Sequence, residues 1–95
     1  MRKLECIQFR SCRPIGRALA SHLVELFAEK ARSDDIEMTL WLDDELPGDL
    51  RVHLENKRRD TVNASLGQLG MQIEQVLQSQ GLVSRRRLVS SEKIG

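Results

Sequence analysis

The segment "IEMTLWLDDELPGDLRVHLE" constrains the fold more than any other part of the chain, because it holds two alternating stretches on either side of a chain reversal. Ile36, Met38, Leu40 and Leu42 fall on one parity, and Glu37, Thr39, Trp41 and Asp43 on the other. That pattern predicts a half-buried strand. Leu50, Val52 and Leu54 then alternate with Arg51, His53 and Glu55. Between the two stretches stand Pro47, which presets φ for the first central position of a β-turn, and Gly48, which can supply the positive φ of a type II turn at the second. The pattern predicts a hairpin of two strands reversing at Pro47-Gly48.

The flanking segments build outward from this hairpin. "RPIGRALASHLVELFAEKARS" carries Ile15, Leu19, Leu23, Leu26 and Phe27 at the spacing of one helical face. Pro14 suits a first helical turn, and Lys30 and Arg32 suit the last. After the hairpin, Asp60 to Gly70 reads two ways. Gly67 and Gly70 each cost about 1 kcal/mol against alanine inside a helix, which favours a strand over 60–66 after the loop "NKRR". A helix follows from Gln68 to Gln80, with Leu69, Ile73, Val76 and Leu77 buried and Gly81 as its C-terminal stop. "LVSRRRLVS" predicts a last strand at a sheet edge, where arginines oppose further pairing.

The expected fold class is therefore α+β: a small antiparallel sheet, made of a three-stranded meander plus a final strand, packed by two helices. If 60–67 is helical instead, the order becomes βαββαβ, a ferredoxin-like pattern. Ile7 and Phe9 alternate with Gln8 and Arg10, but Leu4 and Cys6 fall on the other parity, so residues 1–12 read as a lead-in or a short strand. Residues 13–90 form a single domain, and 91–95 a flexible tail. A 95-residue chain is one domain at most.

Charge is balanced in sum and uneven in place. The net charge of +1 argues against a dedicated nucleic-acid binder. Phe9, Phe27 and Trp41 are the only aromatics and give no stacking platform for single strands. Residues 34–50 hold seven acids and no base, whereas from Arg51 onward there are eight bases and four acids. The bases cluster at Lys57, Arg58, Arg59 and at Arg85, Arg86, Arg87. No apolar run approaches the ~20 residues that span a bilayer, and no secretory leader pattern opens the chain, so synthesis in the cytoplasm is expected.

Chemistry has few footholds. Cys6 and Cys12 lack the spacing of a zinc pair. The acids Asp43, Asp44, Glu45 and Asp49 do not follow a calcium-loop pattern. His22 and His53 belong to no nucleophile–base signature, and "GQLG" lacks the lysine of a phosphate loop. The reading is a non-enzymatic protein with no metal and no cofactor. Trp41 is the exception to a bland surface, because it lies on the polar parity of its strand, and tryptophan is enriched among interface hot spots.

The order of helix, "EMTLWLDDELPGDLRVHL", "QIEQVLQSQGL" and "LVSS" resembles one family. It is similar to the C-terminal substrate-specificity-switch domain of type III secretion needle-length regulators and flagellar hook-length control proteins. The resemblance implies a protein-interaction module that contacts the cytoplasmic domain of the export-apparatus switch protein. It also leaves open export of the chain itself through that apparatus. The contact expected from it lies around Leu46, Pro47, Gly48 and Leu50, with Trp41, Arg51 and His53 as neighbours. An acidic rim there would steer a basic partner, less so at high salt. The other reading is a small ferredoxin-like domain that binds RNA or another protein through its basic clusters. Homodimerisation through the final edge strand is a third expectation for partners.

Overall fold

The structure, a computed structural model, describes residues 3–57 and 64–89. The elements run β1 (Lys3–Arg10), α1 (Gly16–Ser33), β2 (Ile36–Leu42), β3 (Asp49–Asn56), α2 (Ala64–Gln78) and β4 (Leu82–Val89). The strands form one sheet in the order β2-β3-β1-β4, with every neighbouring pair antiparallel. This is an α+β fold with two helices on a four-stranded antiparallel sheet.

The hairpin of β2 and β3 forms as expected, with Leu42 opposite Leu50 and Ile36 opposite Asn56. The rest of the expected meander does not. The neighbour of β3 on its other side is β1, in register from Leu4 opposite Glu55 to Arg10 opposite Asp49. Of the segment 60–66, positions 60–63 lie outside the described residues, and from Ala64 the chain is helical. The βαββαβ order is thus the one adopted. Arg58, Arg59 and the tail 91–95 also lie outside the described residues.

One face of the sheet carries the core. Ile7 and Phe9 of β1, Ile36 of β2, and Leu50, Val52 and Leu54 of β3 pack against Leu19, Ala20, Leu23 and Ala31 of α1 and Leu66, Leu69, Ile73 and Leu77 of α2. The burial of α2 at 66, 69, 73 and 77 follows a helical stripe. Leu26 departs from its expected place on the buried face of α1 and is half exposed.

The glycines of α2 have a physical reason that overrides their helix propensity. Glu5 stands on the core parity of β1 and is 1% exposed. Its Oε1 accepts from Arg87 Nε at 3.2 Å and Nη2 at 3.1 Å. Arg85 Nη1 lies 4.0 Å from the same oxygen, and Arg85 Nε is 3.5 Å from Glu74 of α2. These arginines cross over α2 where it has no side chains. A Cβ at Gly67 would stand 2.9 Å from Arg87 Nη2, and one at Gly70 3.4 Å from Arg85 Nη1. Two of the three arginines of the 85–87 cluster are therefore turned onto a buried carboxylate.

The ends of the helices also use tertiary contacts. Helix α1 starts at Gly16, later than expected, with Pro14 ahead of it. Ile15 at the cap position has no side-chain acceptor, and the Gly16 N–H donates instead to the Pro47 carbonyl at 2.9 Å. Asp35 ends this region in the left-handed conformation, φ 55°, which aspartate tolerates better than most residues. Gly81 follows α2 without a positive φ. It is needed because a Cβ there would meet the Arg10 carbonyl oxygen at 2.5 Å and the Phe9 ring at 2.9 Å.

Candidate functional site at the turn end of the hairpin

The face of the sheet opposite the helices is uncovered by any described element. Because β3 and β1 are central, it places residues distant in sequence in single rows. Trp41 stands opposite Arg51, and Arg51 opposite Gln8. Thr39, His53, Cys6 and Arg86 form the adjacent row. Trp41 is 56% exposed, and its ring centroid lies 6.3 Å from that of His53 at a 57° tilt.

Trp41, Arg51 and His53 line an open hollow of about 620 Å3, with Gln8, Arg10, Asp49, Leu82 and Ser84 among its other walls. Arg10 Nη2 pairs with Asp49 Oδ2 at 3.4 Å across β1 and β3. The hollow is polar and apolar in similar measure, a composition suited to an amphipathic surface of a partner.

The loop from β2 to β3 borders this hollow and is ordered by its own polar groups. Asp43 Oδ1 accepts from the Glu45 N–H at 2.8 Å and the Leu46 N–H at 3.0 Å. The Asp49 N–H donates to the Leu46 carbonyl at 2.9 Å, closing a turn around Pro47 and Gly48. Gly48 has no positive φ, so this is not the type II turn read from the sequence. Glycine is required there by close approach, since a Cβ would stand 1.9 Å from the Ser11 carbonyl oxygen. The same contact holds the turn down, with the Ser11 N–H donating to the Gly48 carbonyl at 3.1 Å.

The seven expected contact residues thus divide. Trp41, Arg51 and His53 meet on the open face. Leu46 and Pro47 are exposed on the loop, with Leu46 49% exposed. Gly48 is buried under the segment between β1 and α1. Leu50 is 2% exposed and belongs to the core on the opposite face. Sequence reasoning missed Gln8, Arg10, Leu82 and Ser84. They reach the site only because β1 lies beside β3 and β4 beside β1, and no local pattern encodes that order.

The acidic cluster serves the loop before it serves any partner. Asp43 is held by two backbone N–H groups and Asp49 by Arg10, while Asp44 and Glu45 remain exposed. Among the described residues no three His, Cys, Asp or Glu side chains are grouped to hold a metal ion.

His53 has its pKa lowered below 6.5, first by partial burial and then by the positive charge of Arg51. The folded chain therefore prefers the neutral imidazole. As pH falls through 6.5 the unfolded chain takes the proton first, so His53 withdraws stability on the acid side and contributes nothing above it. An NMR titration is expected to place the His53 midpoint below 6.5, and Arg51→Gln should raise it only in part, because burial is the larger cause. A midpoint above 6.5 contradicts this account of the site.

No family model and no curated protein matches the sequence. Two solved structures are similar in fold. One is Rv0793 from Mycobacterium tuberculosis, 14% identical, TM-score 0.61, with 98% of this chain and 99% of that one covered. The other is the de novo designed protein Foldit4, 18% identical, TM-score 0.57, with 96% of this chain and 100% of that one covered. At such identities the likeness establishes the α+β architecture alone. No helix among the described residues is long and apolar enough to cross a membrane.

Proposed function

We propose that this chain is a non-enzymatic docking module that presents Trp41 and Leu46 to a protein partner. The observation that carries the reading is the state of Leu46. Its N–H is held by Asp43 and its carbonyl by Asp49, yet its side chain is half exposed. An apolar side chain on a fixed backbone loses little conformational freedom on binding, and that is what an interface anchor requires. The exposed Trp41 at the same end of the hairpin is the second anchor.

The partner is the cytoplasmic domain of the export-apparatus switch protein of a type III secretion system, and contact with it acts as a substrate-specificity switch. The support for this identity is the sequence resemblance across Glu37–Leu54, which includes the loop that bears Leu46. Asp44 and Glu45 beside Leu46 favour a basic patch on that partner.

Leu46→Asp is expected to weaken binding to the switch-protein domain by at least about tenfold, with an unchanged circular dichroism spectrum. Leu50→Asp separates docking from folding, because it places a charge in the core and is expected to unfold the chain. Undiminished binding by a folded Leu46→Asp variant would exclude the loop as the contact.

A further inference from the structure

We propose that β4 is a pairing edge whose occupant is β4 of a second copy, the two joining antiparallel about a two-fold axis into one eight-stranded sheet. Strand β4 is outermost, and among the described residues its one strand neighbour is β1. Arginines along an exposed edge normally guard it against pairing. Here that guard is largely withdrawn. Arg85 donates to the Gly67 carbonyl at 3.2 Å and pairs with Glu74, and Arg87 pairs with Glu5. Arg86 alone of the three lies on the open face, in the row of Cys6 and His53.

The register selects the occupant. A two-fold axis normal to the sheet keeps all helices on one side, so residues facing one another across it must share a face. Centring the pair on Arg85 sets Leu82 opposite Leu88 of the second copy, twice over, and Ser84 opposite Arg86. Centring it on Arg86 opposes two arginines on the open face and leaves the leucines unmatched. Centring it on Ser84 sets Leu82 against Arg86 and leaves Leu88 with no partner. Leu82 is 76% exposed and Leu88 47% exposed in the single chain, so only the first register covers both. A two-fold pairing uses both β4 edges, so association stops at two.

Charge sets the sign of the salt response. In the pair, the two Arg85 side chains stand directly opposite on the helix face, each matched by Glu74 of its own chain, and Arg87 is matched by Glu5. The two Arg86 side chains, on the open face, lie diagonally across the axis and repel. Salt screens the repulsion and tightens the dimer. An acidic partner strand on the same edge would be held by Arg86 and loosened by salt. Trp41 and Leu46 are at the other edge of the sheet, so the dimer leaves both anchors of the proposed function free and covers only the β4 wall of the hollow, at Leu82 and Ser84.

Light scattering across a concentration series tests the proposal. The full chain should move from 10.9 kDa toward twice that mass, more readily in high salt. The β4 amides should gain hydrogen-exchange protection as concentration rises. Leu82→Lys with Leu88→Lys should raise the dissociation constant at least about tenfold, with unchanged circular dichroism. Arg86→Thr should lower it, a gain that partial unfolding cannot mimic. A mass of 10.9 kDa at every concentration, a dimer indifferent to the paired lysines, or one that salt dissociates would overturn it.

Discussion

Gly48→Ala is expected to destabilise the fold by about 3 kcal/mol or more, which lowers the melting temperature of a domain this size by at least about 12 °C. The added methyl would stand 1.9 Å from the Ser11 carbonyl oxygen and 2.7 Å from that of Arg13. Both are backbone atoms, so no side chain can swing aside. Relief requires the β2–β3 turn to lift from the segment that links β1 to α1. Lifting breaks the bond from the Ser11 N–H to the Gly48 carbonyl and strands the Gly16 N–H, whose acceptor is Pro47. Helix α1 then loses its one described N-terminal partner from another element, because Ile15 offers no side-chain cap. Leu46→Ala, two positions away and solvent-facing, should cost under about 1 kcal/mol. Urea unfolding followed by circular dichroism measures both. A Gly48→Ala variant within about 0.5 kcal/mol of the parent would mean that the turn does not rest on this segment.

Glu5→Ala is the second large effect, with an expected loss of about 2–3 kcal/mol. Removing one member of a buried ion pair costs about 3–5 kcal/mol when the charge left behind stays buried. The cost is lower here because the Arg87 side chain is 58% exposed and can turn to water, while Arg85 keeps Glu74. Arg87→Ala should cost at least as much, about 2–3 kcal/mol, because it takes both hydrogen bonds from the buried Glu5 carboxylate and leaves only Arg85 at 4.0 Å. Glu5→Leu combined with Arg87→Leu should recover most of the loss, because an apolar pair fills the space with no charge to desolvate. Chemical denaturation of the set gives the coupling directly. A Glu5→Ala variant as stable as the parent would show that the carboxylate has no part in fastening β1 to β4.

The hairpin was legible because its parity is clean: Ile36, Met38 and Leu40, then Leu50, Val52 and Leu54, all face the helices. The central strand was not, for a chemical reason. In β1 the core parity contains Glu5 beside Ile7 and Phe9, and the open parity contains Leu4 and Cys6. A buried carboxylate and two apolar residues on the open face together erase the alternation that marks a strand. The partners of Glu5 stand 80 and 82 positions later, at Arg85 and Arg87, so nothing near it in sequence announces its burial. The same pairing hid the start of α2. Gly67 and Gly70 count against a helix until the arginines that cross them are known.

The candidate site was legible in part, and for the same reason. Trp41 was marked by a large apolar side chain on a polar parity, and Arg51 and His53 by their outward positions on the facing strand. Gly48 and Leu50 were drawn in by their nearness to Leu46 in sequence, but the turn is pressed onto the segment before α1 and Leu50 points to the helices. A turn read from its residues gives the place of reversal and not the surface against which the reversal lies.

Trp41 is the sole tryptophan of the chain, so its fluorescence is the most direct report on docking. On titration with the cytoplasmic domain of the export-apparatus switch protein from the same organism, its emission should move to shorter wavelength and saturate at one partner per chain, and Leu46→Asp should abolish the change. An emission spectrum that stays that of a solvent-exposed indole at saturating partner would contradict docking at this end of the hairpin.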